Sequence, residues 1–285
     1  MKKISLRGAI DMHVHSAPDI RQRAYTDIEL MEAAVRVGAR AVVIKSHHGT
    51  TMNRAFLVNE MNRIMHGTEN NLTVFGSITL NRPVGGLNPA AVETALKMGA
   101  KVVWLPTTHA SNEMARQGKT GGIECVSGGR IVEPLKEIFK MIKDYDVVLG
   151  TAHLSPGEIF VVTEAAKNMG INKIVITHPE WPTVNMSLED QVKITKDYDV
   201  YLEKCYAHAL GGGKYQKNLS DNLVVIKEAG CKNVIISTDG GQVENPHWEM
   251  ALAEYHQFLA DNGIPGEDID YMGRSLPARL LGIAQ

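Results

Sequence analysis

The sequence predicts an α/β protein of the (β/α)8 TIM-barrel class, folded as a single domain over residues 1–285. Three observations carry this. Four segments repeat one pattern of amphipathic helix, glycine and β-branched strand. Eight apolar strand-like runs are spaced along the chain, each followed by a helix-like stretch. Nothing resembling a Gly-x-Gly-x-x-Gly turn follows the first of them. Alternating strands and helices require a parallel sheet, and eight successive units favour a closed barrel over an open doubly wound sheet.

The repeats are 31–38 leading to 41–44, 92–99 leading to 102–105, 163–170 leading to 174–176, and 225–230 leading to 234–236. Glycine just past a helix takes the left-handed cap conformation at no steric cost. The short apolar runs are strands buried on both faces, as a parallel sheet requires. Filling the gaps places strands near 8–13, 41–45, 73–78, 101–105, 146–151, 173–177, 199–203 and 233–238. Helix starts are marked by capping-box spacings at Thr26 with Glu29, Ser155 with Glu158 and Ser187 with Asp190. The one long irregular stretch, 106–130, is rich in Gly, Ser and Thr and reads as a lid loop, not a linker.

Composition narrows the function. A net charge of −2 without long charged runs argues against a nucleic-acid partner. Lys2, Lys3 and Arg7 precede no apolar run of signal-peptide type, and no run approaches a membrane span. Three scattered cysteines offer neither a disulfide framework nor a Cys-x-x-Cys site. A cytoplasmic enzyme acting on a small molecule, as a monomer or a homo-oligomer, is the expectation.

The chemistry centres on His13-Val14-His15. Alternate residues of a strand share a side, so both imidazoles face one space and form half of a metal site. The competing reading is a hydrogen-bonded pair at a strand end. The other histidines decide between them. Of eleven, only His66 and His256 fall in helices. The remaining nine (His13, His15, His47, His48, His109, His153, His178, His208 and His247) fall at strand ends or in the loops that follow. In a barrel that is the face where active sites are built. His178 ends one apolar strand and His153 closely follows another, and both are candidate ligands. Asp239 ends the last strand, where a carboxylate can bind metal and accept a proton from water. Lys45 is either a structural ion-pair partner or, when carbamylated, a bridge between two metals. His47 and His48 are ligands, substrate contacts or solvated loop residues. Glu203, at the seventh strand, can bind a second metal, orient a ligand or grip substrate. His109 stands beside them as a further substrate contact, and Gly211-Gly212-Gly213-Lys214 offers a weak anion-loop signal.

This set resembles the amidohydrolase superfamily of metal-dependent hydrolases, most closely its phosphotriesterase and TatD-like branch. Members pair a His-x-His on strand one with histidines ending strands five and six and an aspartate ending strand eight. His13, His15, His153, His178 and Asp239 match. Residues 276–283 also resemble the closing Asn-Pro-Ala-x-Leu-Leu-Gly segment, with Ser275-Leu276 in place of the asparagine. The resemblance implies one or two divalent ions, zinc first, with manganese, iron or nickel as alternatives. It also implies hydrolysis of an amide, ester, lactone or phosphoester bond, with Asp239 moving the proton. The branch's bridging Lys or Glu on strand four is missing from 104–109, where Lys45 is the available substitute. Residues 44–48 also resemble the second motif of PHP phosphoesterases, although that family's last motif would need a histidine at Gly241. A metal-dependent lyase or decarboxylase on the same scaffold, and a metal-containing binding protein without turnover, are further alternatives.

Overall fold

The computed structural model describes residues 4–67 and 69–283; Lys2 and Lys3 lie outside them. The chain forms two compact units. One comprises Met1–Ser46, Thr51–Gly76 and Lys204–Gln285, the other His47–Thr50 and Ser77–Glu203.

In the first unit, the strands Ile10–Val14, Ala41–Ile44 and Thr73–Phe75 form a parallel sheet, with Ile10 level with Ala41 and Ala41 level with Thr73. The register shifts between Asp11 and Val14, around the His-x-His. The strand Val234–Ser237 leads to Gly240, which bridges to Val14. Its helices are Asp27–Val37, Met52–His66, Leu219–Ala229 and Trp248–Asp261, followed by shorter segments to Leu281. Thr26 and Glu29 complete the expected capping box, and Gly38 takes the left-handed cap. Gly76 lets the start of helix Met52–His66 press on the third strand, since a Cβ there would stand 2.5 Å from the Met52 Cα.

In the second unit, the strands Ser77–Thr79, Val102–Trp104, Val148–Gly150 and Ile174–Ile176 run parallel in that order, and Tyr201–Leu202 pair beside the last. Their residues are buried on both faces, as the apolar runs require. The helices are Pro89–Lys97, Ser111–Arg116, Glu133–Asp144, Pro156–Asn168 and Leu188–Tyr198. Ser155 and Glu158 form a full capping box. Ser187 caps through its side chain, but the shorter Asp190 is not seen to return the bond.

Three local expectations change. Gly230 has φ 81° and ψ 158°, so it is an extended turn open to glycine alone, not a left-handed helix cap. Residues 211–214 form the exposed turn of the antiparallel hairpin Ala207–Gly211 and Lys214–Lys217, so the glycine run is a tight turn between paired strands. The stretch 106–130 is folded: it holds the helix Ser111–Arg116 and most of a small hairpin, Val126–Ser127 with Arg130–Ile131. Gly122 lies so close to that helix that a Cβ would stand 2.3 Å from the Ser111 Cα. Among the described residues, no helix is long and apolar enough to cross a membrane.

His66 and His256 lie in helices as expected. His256 is buried against Gly273, and burial, with the Arg274 charge, pushes its pKa from 6.5 down to about 4. Between those values the unfolded chain binds a proton that the folded chain refuses. Stability contributed by this group therefore falls as pH drops from 6.5 towards 4. The share is on the order of 3 kcal/mol, at about 1.4 kcal/mol per unit. Wild type should lose more unfolding free energy than His256→Gln on acidification across this window, measured by denaturant titration. Equal losses would remove His256 as the source.

Candidate metal centre

The first unit carries a tight polar cluster at its strand ends. His13 Nε2 lies 3.2 Å from Asp239 Oδ1, and His15 Nε2 lies 3.0 Å from the same oxygen. Ligand atoms of these three buried residues all fall within 4.8 Å of one another. The two rings are 5.4 Å apart. Lys45 joins them, with Nζ 2.9 Å from His13 Nε2. Two imidazoles and a carboxylate converging on one point are the donor set of a borderline divalent ion such as zinc. The residues present therefore fit a metal.

Electrostatics agree with that fit. Burial, reinforced by the Arg23 charge, pushes His15 down to about 3, so its ring is neutral and able to ligate at physiological pH. Burial alone would raise Asp239. The His13 charge, the His15 hydrogen bond and the Lys45 charge outweigh it and hold the carboxyl well below its usual range.

Asp11 makes this convergence. Its buried carboxylate accepts from the His13 backbone N–H at 3.0 Å, the Thr238 N–H at 3.1 Å, the Thr238 hydroxyl at 2.6 Å and the Trp248 indole N–H at 2.9 Å. Thr238 Oγ1 in turn accepts from the Gly240 N–H. One carboxylate thus ties the residue two before His13 to the residue just before Asp239. Burial pushes Asp11 up to about 6 even with these donors. Gly241 completes the fit, because a Cβ there would stand 1.7 Å from the His15 carbonyl oxygen.

The second unit carries a histidine chain of its own. His47 and His153 ring centroids are 6.0 Å apart, His153 and His178 are 5.2 Å apart, and His48 stands 6.2 Å from His47. Trp181 stacks on His178 at 4.1 Å. Glu113 approaches His153 Nδ1 at 3.8 Å, and Asn112 holds the His153 and Thr183 carbonyls. His47 Nδ1 is held by Thr107 Oγ1 at 2.8 Å. Asn81 donates to that hydroxyl and to the His47 carbonyl, while its own oxygen accepts from the Thr107 and His109 backbones. Half-buried His109 has its pKa lowered by burial and by Arg82. Glu203 is fully buried inside the strand Tyr201–Cys205, not at its end. His208 is held by Asn218, and His247 packs edge-on to Tyr25.

Three of these strand ends are strained. Ala152, His178 and Asp239 have φ of 53°, 26° and 48°, positive values that a side chain adopts at a cost and that cluster at functional sites. Sequence reasoning assigned no role to Asp11, Asn81, Thr107, Glu113, Trp181 or Trp248. Only Asp11 had a signal, an acid two residues before the His-x-His on the same strand face.

Residues 8–203 match a family of unknown function, DUF6282. Comparison with curated proteins gives no match. Among solved structures, the chain is similar to an amidohydrolase from Pseudomonas aeruginosa, with a TM-score of 0.67 and 13% identity over 96% of this chain and 95% of that one. It is also similar to dihydroorotase from Campylobacter jejuni, with a TM-score of 0.60 and 16% identity over 98% and 85%. A third likeness is to 2,6-dihydroxybenzoate decarboxylase from Rhizobium, with a TM-score of 0.53 and 10% identity over 98% and 99%. The fold is thus the (β/α)8 barrel, as the sequence predicts.

Asp11→Asn turns one accepting oxygen into a donor facing donors. We expect a loss of about 2–4 kcal/mol of stability, and a 10–100-fold weaker hold on added divalent metal. Calorimetry with zinc titration measures both, and wild-type values for stability and affinity would refute the role of this carboxylate.

Proposed function

The chain belongs to the DUF6282 family of unknown function, so its residues must supply the reading, and we propose a metal-dependent hydrolase of the amidohydrolase superfamily. The substrate is a small molecule with an amide, ester, lactone or phosphoester bond. The observation that carries this is the convergence of the buried His13, His15 and Asp239, the last of them at a strained backbone position. His13, His15, Asp239, His153 and His178 are the proposed ligands of one or two divalent ions, zinc first, in the manner of the phosphotriesterase and TatD-like branch. Such an ion supplies Lewis acidity for a carbonyl or phosphoryl oxygen and makes water acidic enough to react near neutral pH.

The chain's own residues do the rest. Asp239, held ionised by the His13 and Lys45 charges and the His15 hydrogen bond, takes the proton from water and passes it to the leaving group. His15 stays neutral and keeps its lone pair for ligation. Lys45, once carbamylated, would offer anionic oxygens beside His13; unmodified, it is a cation at that ring. His47, held through Thr107, His48, His109 and Glu203 contact the substrate, and 106–130 covers it. The PHP-like phosphoesterase reading loses ground, because the histidine its last motif needs at Gly241 would collide with the His15 carbonyl. A cytoplasmic setting is part of the proposal.

Metal analysis of purified protein tests the ligand set. At least one transition-metal ion per chain is expected, with strong loss in His13→Ala and in His178→Ala. His66→Gln is the control, since His66 sits on a helix paired with Glu32 and should leave occupancy unchanged. Full occupancy in both alanine variants would overturn the assignment.

Asp239→Asn keeps size and one oxygen but removes the basicity. It should retain much of its metal and lose about a hundred- to ten-thousand-fold in turnover, scored against a panel of lactones, amides and phosphoesters. Near-normal turnover would move the proton step to Glu203 or His109. Carbon dioxide release in place of hydrolysis would reassign the reaction to a lyase.

A further inference from the structure

The helix Met52–His66 buries Met52, Ala55, Val58 and Asn62 and leaves a second apolar face outward. Phe56 and Leu57 are each 66% exposed, Ile64 70% and Met65 51%. Leu57, Met61 and Ile64 follow an i, i+4, i+7 stripe, which is one face of a helix. Four large apolar side chains exposed on one helix, where single ones are ordinary, mark an interaction surface. Beside the stripe runs a groove of ≈ 690 Å³ lined by Pro18, Ile28, Arg54, Leu57, Val58 and Met61, among others.

The spacing of this face is symmetric. About a point between Glu60 and Met61, Leu57 mirrors Ile64 and Phe56 mirrors Met65. A two-fold axis through that point and perpendicular to the helix would run two copies antiparallel, as a self-complementary interface demands. Leu57 of each copy then lies level with the partner's Ile64. Met65 lies on the same flank of the helix as Arg54 and Val58, about 80° from Leu57 at 100° per residue. Under this axis like flanks meet, so each Met65 points at the partner's groove. The charges also match. Glu60 and Arg63 are paired on the opposite flank at 2.8 Å. The two-fold places each Glu60 between its own Arg63 and the partner's Arg63, giving two cations and two anions at the rim.

We propose that this face is the seat of a second copy of the chain, and that the protein is a two-fold dimer through helix Met52–His66, with Ile64 and Met65 as knobs and the Pro18–Ile28–Leu57 groove as the hole. Charge balance and the mirrored spacing favour a second copy over an unrelated partner, for which neither would be required.

Sedimentation velocity of the 285-residue chain over a concentration series tests it. Wild type should sediment at twice the chain mass. Ile64→Glu should raise the dissociation constant on the order of a hundredfold, the change counting twice in a two-fold interface. Ile20→Glu changes a residue 79% exposed but outside the stripe, and should leave the dimer intact. Because all these side chains are exposed, equal melting temperatures should show that each variant folds. Met61→Cys, near the axis, should form a disulfide-linked dimer on oxidation in a Cys231→Ser background. A wild-type monomer at every concentration would overturn the proposal and give the face to another partner. A dimer untouched by Ile64→Glu, or no cross-link through residue 61, would overturn it equally.

Discussion

The Asp11 carboxylate is the constraint on which the candidate centre depends. A buried carboxylate is costly unless donors replace the water it has lost. Here two backbone N–H groups, a hydroxyl and an indole surround it, and burial still pushes its pKa to about 6. That cost has a geometric return. The same donors belong to His13, to Thr238 just before Asp239, and to Trp248 at the start of the last long helix. Two chain segments more than two hundred residues apart in sequence are held in a register that brings His13 within 3.2 Å of Asp239. Gly241 serves the same closeness by carrying no side chain where the His15 carbonyl stands.

Strain is distributed in the same way. Ala152, His178 and Asp239 all adopt positive φ at the ends of short buried strands. Such conformations persist only where the surroundings over-determine them. The strands supply that rigidity: the residues of Val148–Gly150, Ile174–Ile176 and Val234–Ser237 are wholly buried. Side chains that must meet a ligand or substrate at fixed positions are better carried on such elements than on mobile loops.

The histidine chain of the second unit is held by different means. His47 depends on Thr107, and Thr107 depends on Asn81, whose amide donates to its hydroxyl and to the His47 carbonyl and accepts from the Thr107 and His109 backbones. The loop after the strand Val102–Trp104 thus carries a hydroxyl serving a histidine. Hydrolases and a decarboxylase are both among the structures this chain is similar to, and a shared scaffold does not choose between reactions.

The strand and helix order, the barrel class, the two complete capping boxes and the placement of histidines at strand ends were legible in the sequence. Each rests on a local signal: a short β-branched run, a Ser or Thr three residues before Glu, a His two residues after another. What tertiary structure decided was everything set by residues remote in sequence. Asp11 shows in a linear reading only as an acid on the His-x-His face, its meaning coming from Thr238 and Trp248, and Asn81 gains its role only beside Thr107 and His47. The conformations of Gly230 and of the 211–214 turn were not legible because glycine permits several, and the neighbouring hairpin and strand choose among them. Lys45 was open between ion pair and ligand because a side chain's partner is a matter of distance. Sequence records which groups are present and the rhythm of the elements that carry them; which groups end within hydrogen-bonding reach is determined only when the strands take up their register.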